Sequence, residues 1–420
     1  MKYISAISHK IPTVNKQVRI ELLGQNLIIT GGNGSGKTTL VKEIYQKIHK
    51  IIIKDSESIL YNESRKEKDT KNYIKSLESQ PHNELPLSGA YSELKRIQSV
   101  MLELGSGPEI EINNRLQFRK LVHSGKGLVE FFGANRQAKI DAAHGANAAT
   151  YSIEELNGEA SEKIGEKFEK HLTNLRTRRS FAITENPDPN LASKIEQWFF
   201  KLEADLKFLF EDDSTQLTFE PTTFKFFINQ AGRSPYTFQT LSSGYSAIFH
   251  ILLRLMMRAE YLNIVSSELS GVAIIDEIDA HLHVSLQRKI LPFLTAMFPN
   301  VQFIVTTHSP FILASVTDAI IFDLTTQESS RDISSFSYDA ILQSVFNVPT
   351  VSDVLRNKVI QLCNFMEAED PDLNKMSGIL ESISEGSMIL DEESAYYVAK
   401  AKLFLLKKPY ESKNFRTKDD

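Results

Sequence analysis

Leu27-Ile28-Ile29-Thr30-Gly31-Gly32-Asn33-Gly34-Ser35-Gly36-Lys37-Thr38 joins an apolar run to a glycine-rich loop that ends in a lysine and a threonine. The apolar run reads as the end of a strand. Thr38 to Ile53 reads as a helix, because Leu40, Ile44, Ile48 and Ile51 recur at helical steps along one face. Gly31 to Thr38 therefore satisfies Gly-x-x-x-x-Gly-Lys-Thr in the strand-loop-helix setting that gives this pattern its meaning. The glycines let backbone N–H groups wrap phosphate oxygens without a Cβ in the way, and the helix N-terminus favours negative charge. Gly31, Asn33, Gly34, Ser35, Gly36, Lys37, Thr38 and Thr39 are the expected ATP-binding residues, with Lys37 on the β- and γ-phosphates and the Thr38 hydroxyl on Mg²⁺. ATP and Mg²⁺ are the expected cofactors.

Three further strings complete the chemistry. Val272-Ala273-Ile274-Ile275-Asp276-Glu277 is an apolar strand ending in two carboxylates, which suits Asp276 for the metal and Glu277 for orienting or polarising the attacking water. Leu241-Ser242-Ser243-Gly244-Tyr245-Ser246 precedes a helix and places Ser-x-Gly at its N-terminus, a setting able to hold a phosphate. Phe303-Ile304-Val305-Thr306-Thr307-His308-Ser309-Pro310 is a buried strand ending at a histidine.

In this order the strings resemble the ABC-type ATPases, whose signature Leu-Ser-Gly-Gly-Gln corresponds to Leu241 to Tyr245. Ser243 and Tyr245 depart from that pattern. The resemblance implies that Ser242, Ser243 and Gly244 contact the γ-phosphate held by a second copy, so that two ATP molecules are sandwiched in a head-to-tail homodimer or higher oligomer. It also implies that Lys37, Glu277 and His308 are the catalytic set, His308 being the switch histidine. Ile278-Asp279-Ala280-His281-Leu282-His283 after the acidic pair, with Thr307-His308-Ser309-Pro310, resembles the OLD-like branch and its SMC-like chromosome-maintenance and DNA-repair relatives rather than transporters. Val284 replaces the proline usual there, and His283 the customary aspartate. Arg136 resembles a recurrent arginine of this branch, and Gln137 is the candidate lid glutamine and third metal contact.

OLD nucleases add a Toprim domain with Asp-x-Asp carboxylates. After Pro310 no Asp-x-Asp stands near an expected strand end, and Glu367 to Asp372 reads as a solvated turn, so nuclease chemistry is not expected in this chain. Tyr338 to Pro349 followed by a helical tail resembles free-standing ATPases encoded beside an effector, nearest to the Septu-type antiphage ATPases. The implied function is a sensor or regulatory subunit whose partner is a separate effector nuclease, HNH-type or Toprim-type. The alternative is a DNA-repair or recombination ATPase binding duplex DNA on its ATP-closed dimer, using Arg176 to Arg179. In that reading Glu162, Glu166 and Glu169 compensate Lys163, Lys167 and Lys170, while Arg176 to Arg179 are uncompensated.

Composition is consistent with this. The 420 residues are 41% hydrophobic, enough for a sizeable core, and 48 Lys and Arg against 53 Asp and Glu leave a net charge of −5, which argues against a DNA-coating protein. A single cysteine, Cys363, excludes an intramolecular disulfide framework and a multi-cysteine zinc site. No apolar stretch approaches the roughly 18 residues of a spanning helix, and a cytoplasmic protein without membrane contact is expected.

The expected fold is α/β: an ABC-ATPase head with a mostly parallel central sheet, an antiparallel β subdomain, a helical insertion arm and a C-terminal helical region. The ATPase domain is placed at 1–330, with a discontinuous core of 1–53, 125–140 and 215–330. Insertions are placed at 54–124 and 141–214, the second a helical arm broken near Asn186 to Pro189, and a helical region for partner or dimer contacts at 331–420. Strands are expected at Lys2 to Ile11, Val18 to Thr30, Gln216 to Ile228 and Tyr236 to Gln239. The polar stretch 54–85 is expected to be an exposed insertion, helical or partly disordered.

Overall fold

The computed structural model describes residues 2–12, 14–79, 84–146, 153–157, 159–331, 333–334, 336–346, 352–368, 370–384, 390 and 392–414. The chain divides into two units, Met1–Tyr338 and Asp339–Asp420.

In the first unit, β1 (Ile4–Ile11) pairs antiparallel with β2 (Lys16–Glu21), and β3 (Asn26–Thr30) leads through the glycine loop into α1 (Lys37–Ile52). The hairpin α2 (Ser56–Glu78) and α3 (Glu84–Gly105) follows, then β4 (Glu109–Ile112), α4 (Arg115–His123), β5 (Gly127–Phe132) and α5 (Ile153–Asn157). The arm is α6 (Phe168–Thr184) and α7 (Pro189–Phe210), broken where sequence placed the break, with Asp188 capping α7 through the Leu191 amide at 3.0 Å. After the hairpin β6 (Gln216–Glu220) and β7 (Lys225–Asn229) come α8 (Ser243–Tyr261), β8 (Ser270–Ile275), α9 (Val284–Met297), β9 (Val301–Thr306), α10 (Pro310–Leu313), β10 (Ala319–Asp323) and β11 (Glu328–Arg331).

The central sheet has the order β11-β10-β3-β9-β8-β5, parallel except for β11, and a second sheet has the antiparallel order β2-β1-β4. Strands β3, β8 and β9 are almost wholly buried, which is why they read as continuous apolar runs. One core unites both sheets with α1: Ile4, Ile7, Val18 and Ile20 from the antiparallel sheet pack with Leu40, Ile44 and Ile48, and with Ile29, Ile274 and Ile304. The second unit begins within α11 (Tyr338–Ser344), and in it α12 (Asp353–Glu367), α13 (Leu373–Ser384) and α14 (Glu392–Asn414) pack around Leu362, Met376, Leu380 and Ala401.

Several expectations change. The run Val18 to Thr30 is two strands in different sheets, because Leu23 and Gly24 take left-handed backbone (φ 51° and 77°) and turn the chain. The polar stretch 54–85 is helical through α2, its few apolar residues Ile74 and Leu77 meeting Ala90 of α3; residues 80–83 lie outside the described set. Part of the proposed insertion 54–124 belongs to the core: β4 pairs with β1, Phe118 stacks on Tyr3 at 4.1 Å, and Val122 is buried beside them. Gln216 to Ile228 is a hairpin, and beyond it Tyr236 makes only an isolated bridge to Ile228 before a 3-10 turn at Phe238–Thr240. Asn347 to Pro349 and Glu369 lie outside the described residues.

Gly271 shows how closely β8 and β5 pair. Its φ is 142°, and a Cβ there would stand 2.1 Å from the Leu128 carbonyl oxygen. Gly271→Ala is expected to lower unfolding free energy by about 3 kcal/mol through this clash; an unchanged urea midpoint would contradict the packing.

Candidate functional site: the carboxyl edge of the central sheet

Parallel register sets the site. Ile29 stands opposite Thr306 and Ile275 opposite Val305, so the residues after β3, β8 and β9 emerge at the same edge. They are the glycine loop, Asp276 with Glu277, and Thr307 with His308. Ligands of open α/β sheets bind at this edge.

Gly36 caps α1 with φ 95°, a conformation that costs glycine little, and Gly31 and Gly34 are left-handed as well. Nothing lies within 4 Å of a Cβ at Gly34, and the Ser35 hydroxyl is buried without a hydrogen-bond partner. An anion accepting from this loop would satisfy that hydroxyl, so the residues fit a bound phosphate. Asn33 and Gly34 are exposed, and Thr38 and Thr39 are half-buried in the first turn of α1. The Lys37 ammonium donates to the carbonyls of Gly31 (2.8 Å) and Gly32 (2.9 Å). Burial holds Lys37 below its ordinary pKa, opposed by the charges of Glu277, Asp276, Asp279 and Asp323.

Asp276 is 2% exposed, and its Oδ1 accepts from the Thr306 hydroxyl at 2.6 Å. That hydroxyl accepts in turn from the Glu277 amide at 2.7 Å, so one side chain of β9 holds both acidic residues. The Thr307 hydroxyl donates to Asp279 at 2.6 Å and accepts from the Ser309 amide at 2.9 Å, fixing the loop that carries His308. Burial and the Lys37 charge depress the His308 pKa, while Asp279, Glu277 and Asp276 raise it by less. His308 is therefore neutral near pH 7.

Sequence reading gave no role to Asp279, Thr306, Thr307, Asp323 or Thr325. Thr325 accepts from the Gly32 amide at 2.8 Å, and Asp323 accepts from the Thr325 amide at 2.7 Å. Asp279 and the two threonines lay inside strings already singled out, and their polarity beside buried strand ends was the available signal. Thr325 follows an ordinary strand and had none.

Ser242 and Ser243 are exposed at the start of α8, and among the described residues no hydrogen bond joins them to the glycine loop. Gly244 is needed by close approach, since a Cβ there would lie 2.7 Å from the His281 carbonyl oxygen. The signature is thus seated directly against the turn that follows the acidic pair. Gln137 is exposed, and its backbone carbonyl is the partner of His250 Nδ1 at 3.2 Å.

The arm corrects the charge reading. Lys167 and Lys170 pair with Asp141, at 2.8 and 3.1 Å, and Glu169 accepts from the Phe226 amide and Gln239 instead of compensating a lysine. Arg179 pairs with Glu196 of α7, and Arg176 lies 3.6 Å from the same carboxylate and 3.8 Å over the Phe199 ring. Arg176 and Arg179 are therefore compensated, which weakens the case for DNA on this segment. Of the described acidic residues in the Glu367 to Asp372 run, Glu367 ends α12, while Asp370 and Asp372 lie between α12 and α13.

The depressed His308 has a pH consequence. Its contribution to stability is present above the unfolded value near 6.5 and is lost as pH falls below it toward the lower folded pKa. In an NMR titration of nucleotide-free protein, His308 should titrate below about 6.5, and Lys37→Met should move the midpoint upward. A midpoint at or above that value would contradict this electrostatic arrangement.

A family described as "AAA domain, putative AbiEii toxin, Type IV TA system" matches residues 109–314. The chain is 29% identical over 129 residues to the Septu protein PtuA of Bacillus thuringiensis, covering 30% of this chain and 32% of that protein. It is 40% identical over 79 residues to the Retron Ec83 probable ATPase of Escherichia coli, covering 18% of this chain and 15% of that protein. The chain thus spans less than a third of the length of these curated relatives. Among solved structures, the SMC head domain from Thermotoga maritima aligns over 79% of this chain and 98% of its own, at 12% identity and a TM-score of 0.37. With its glycine loop and acidic pair, the chain is similar to P-loop ATPases, among them the Septu PtuA proteins.

Proposed function

We propose that the chain hydrolyses ATP and acts as the sensor or regulatory subunit of a cytoplasmic antiphage defence complex that controls a separate effector nuclease. The hydrolytic part is carried by one observation, the convergence of Lys37, Asp276, Glu277, Asp279 and His308 at a single sheet edge. The defence role rests on the similarity to Septu PtuA and to the retron ATPase.

In this reading the amides of the glycine loop and the Ser35 hydroxyl take the phosphates of ATP, and Lys37 exchanges its two carbonyl acceptors for the β- and γ-phosphate oxygens. Mg²⁺ would be held by Thr38 and Asp276, with Gln137 as the third contact, and supplies charge neutralisation on the phosphates when bound. Glu277 orients a water and takes its proton as the water oxygen bonds to the γ-phosphorus. The bond to the bridging oxygen breaks, leaving ADP and inorganic phosphate. Neutral His308 completes the hydrogen bonding around that water. Ser242 and Ser243, exposed at the start of α8, and the half-buried Gly244 reach the γ-phosphate of a second copy in a head-to-tail dimer. ATP binding closes the dimer and hydrolysis reopens it, a two-state change that a bound nuclease can read.

Glu277→Gln should keep ATP affinity, reduce turnover by about 100-fold or more and accumulate a dimer in size-exclusion chromatography; turnover at the wild-type rate would remove Glu277 from this role. Lys37→Ala should weaken ATP binding about tenfold or more, and unchanged affinity would contradict the phosphate site. Purified with its native genetic neighbours, the tagged chain should co-elute with a stoichiometric nuclease. Salt-sensitive DNA binding with no protein partner would favour the repair reading instead.

A further inference from the structure

Arg136 is 5% exposed, and its guanidinium serves the backbone of the acidic turn. One terminal nitrogen donates to the carbonyls of Gly133 (3.0 Å) and Asp276 (2.8 Å), the other to those of Glu277 (2.8 Å) and Ile278 (3.0 Å). Three consecutive carbonyls of one turn are thus gathered on a single planar fork. Lysine cannot copy this, because its ammonium is a point donor with three hydrogens on a flexible stem.

The turn needs such a clamp. Glu277 has φ 47°, the left-handed region that a residue with a long side chain occupies only when its surroundings impose it. In the ordinary helical or extended region the same carboxylate would leave the sheet edge in another direction. Three groups hold Glu277 where it is: the Thr306 hydroxyl on its amide, and Arg136 and the Ala280 amide (2.9 Å) on its carbonyl. Burial pushes the Arg136 guanidinium down to about 10, and Asp279, Asp276 and Glu277 oppose that shift, so at neutral pH it remains the charged donor that the turn requires.

We propose that Arg136 is a positioning residue for hydrolysis: by holding the carbonyls of Asp276, Glu277 and Ile278 it keeps Glu277 in its left-handed conformation and aims its carboxylate at the attacking water. The inference deepens the hydrolytic reading above and rests on Glu277 activating that water. Arg136 acts through the backbone of Glu277, so its removal should slow the chemical step and spare nucleotide affinity.

The test measures kcat, KM and equilibrium ATP binding for the full chain as wild type, Arg136→Lys, Glu277→Gln and the double variant, with circular dichroism and thermal melting for each. Arg136→Lys should lower kcat by about tenfold or more with ATP affinity within about twofold of wild type. Added to Glu277→Gln it should cause no further loss, since both changes disable one device. Arg136→Ala should regain part of its kcat with millimolar guanidinium. Wild-type kcat in Arg136→Lys, or a loss confined to ATP affinity, would overturn the proposal. So would additive losses in the double variant. If neither Arg136 variant folds, the residue belongs to core stability and the positioning role is likewise overturned. Failure of the hydrolytic reading looks different, because Glu277→Gln itself would then turn over at the wild-type rate.

Discussion

Parallel pairing of β3 with β9, and of β9 with β8, is the constraint on which the rest of the site depends. Hydrogen bonding along these strands fixes Ile29 opposite Thr306 and Ile275 opposite Val305. Once that register is set, the glycine loop, the acidic pair and His308 leave the sheet at the same edge, although the chain between Lys37 and Asp276 builds two helical hairpins, one strand of the second sheet and the β6-β7 hairpin. A slip of one residue would turn every side chain of the strand to the opposite face. The buried aliphatic residues on both faces oppose such a slip, so packing of the core and placement of the charges are one problem.

Such an edge is costly to build. It crowds three carboxylates around Lys37 and His308 and buries Asp276 almost completely. The compensation is local and specific. Thr306 and Thr307 each answer a carboxylate and a backbone amide, while Arg136 answers the carbonyls of the same turn. A buried polar group left without a partner costs about 1–3 kcal/mol, and among the described residues of this edge Thr30 Oγ1, Arg136 Nε and Ser35 Oγ lack one. The Ser35 hydroxyl lies beside Gly31 of the glycine loop. A second line of contact runs outward, from the acidic turn through the His281 carbonyl to Gly244 at the head of α8.

Much of this was legible in the sequence where the information is local. The glycine loop, α1 and the ends of β8 and β9 are each specified by a few contiguous residues, and their order gave the sheet. What was not legible depends on partners that are distant in sequence. Val18 to Thr30 alternates well enough to pass for one strand, and only the left-handed Leu23 and Gly24 show that it turns into another sheet. Arg176 and Arg179 seemed uncompensated because Glu196 stands on the neighbouring helix. Asp279 and Thr325 have no motif of their own, and their place at the site follows from the loops that end beside the glycine turn. The resemblance supplied an arginine at Arg136 but not its four carbonyl partners.

The central claim is that residues far apart in sequence close on one metal-nucleotide. Anomalous scattering from Mn²⁺, in crystals grown with a non-hydrolysable ATP analogue, tests it most directly. The account predicts one manganese peak at about 2.1 Å from the Thr38 hydroxyl, on the Asp276 side of the nucleotide, with the phosphates seated on the Gly34 to Thr38 amides. Phosphates bound elsewhere, or a metal peak remote from both Thr38 and Asp276, would contradict it.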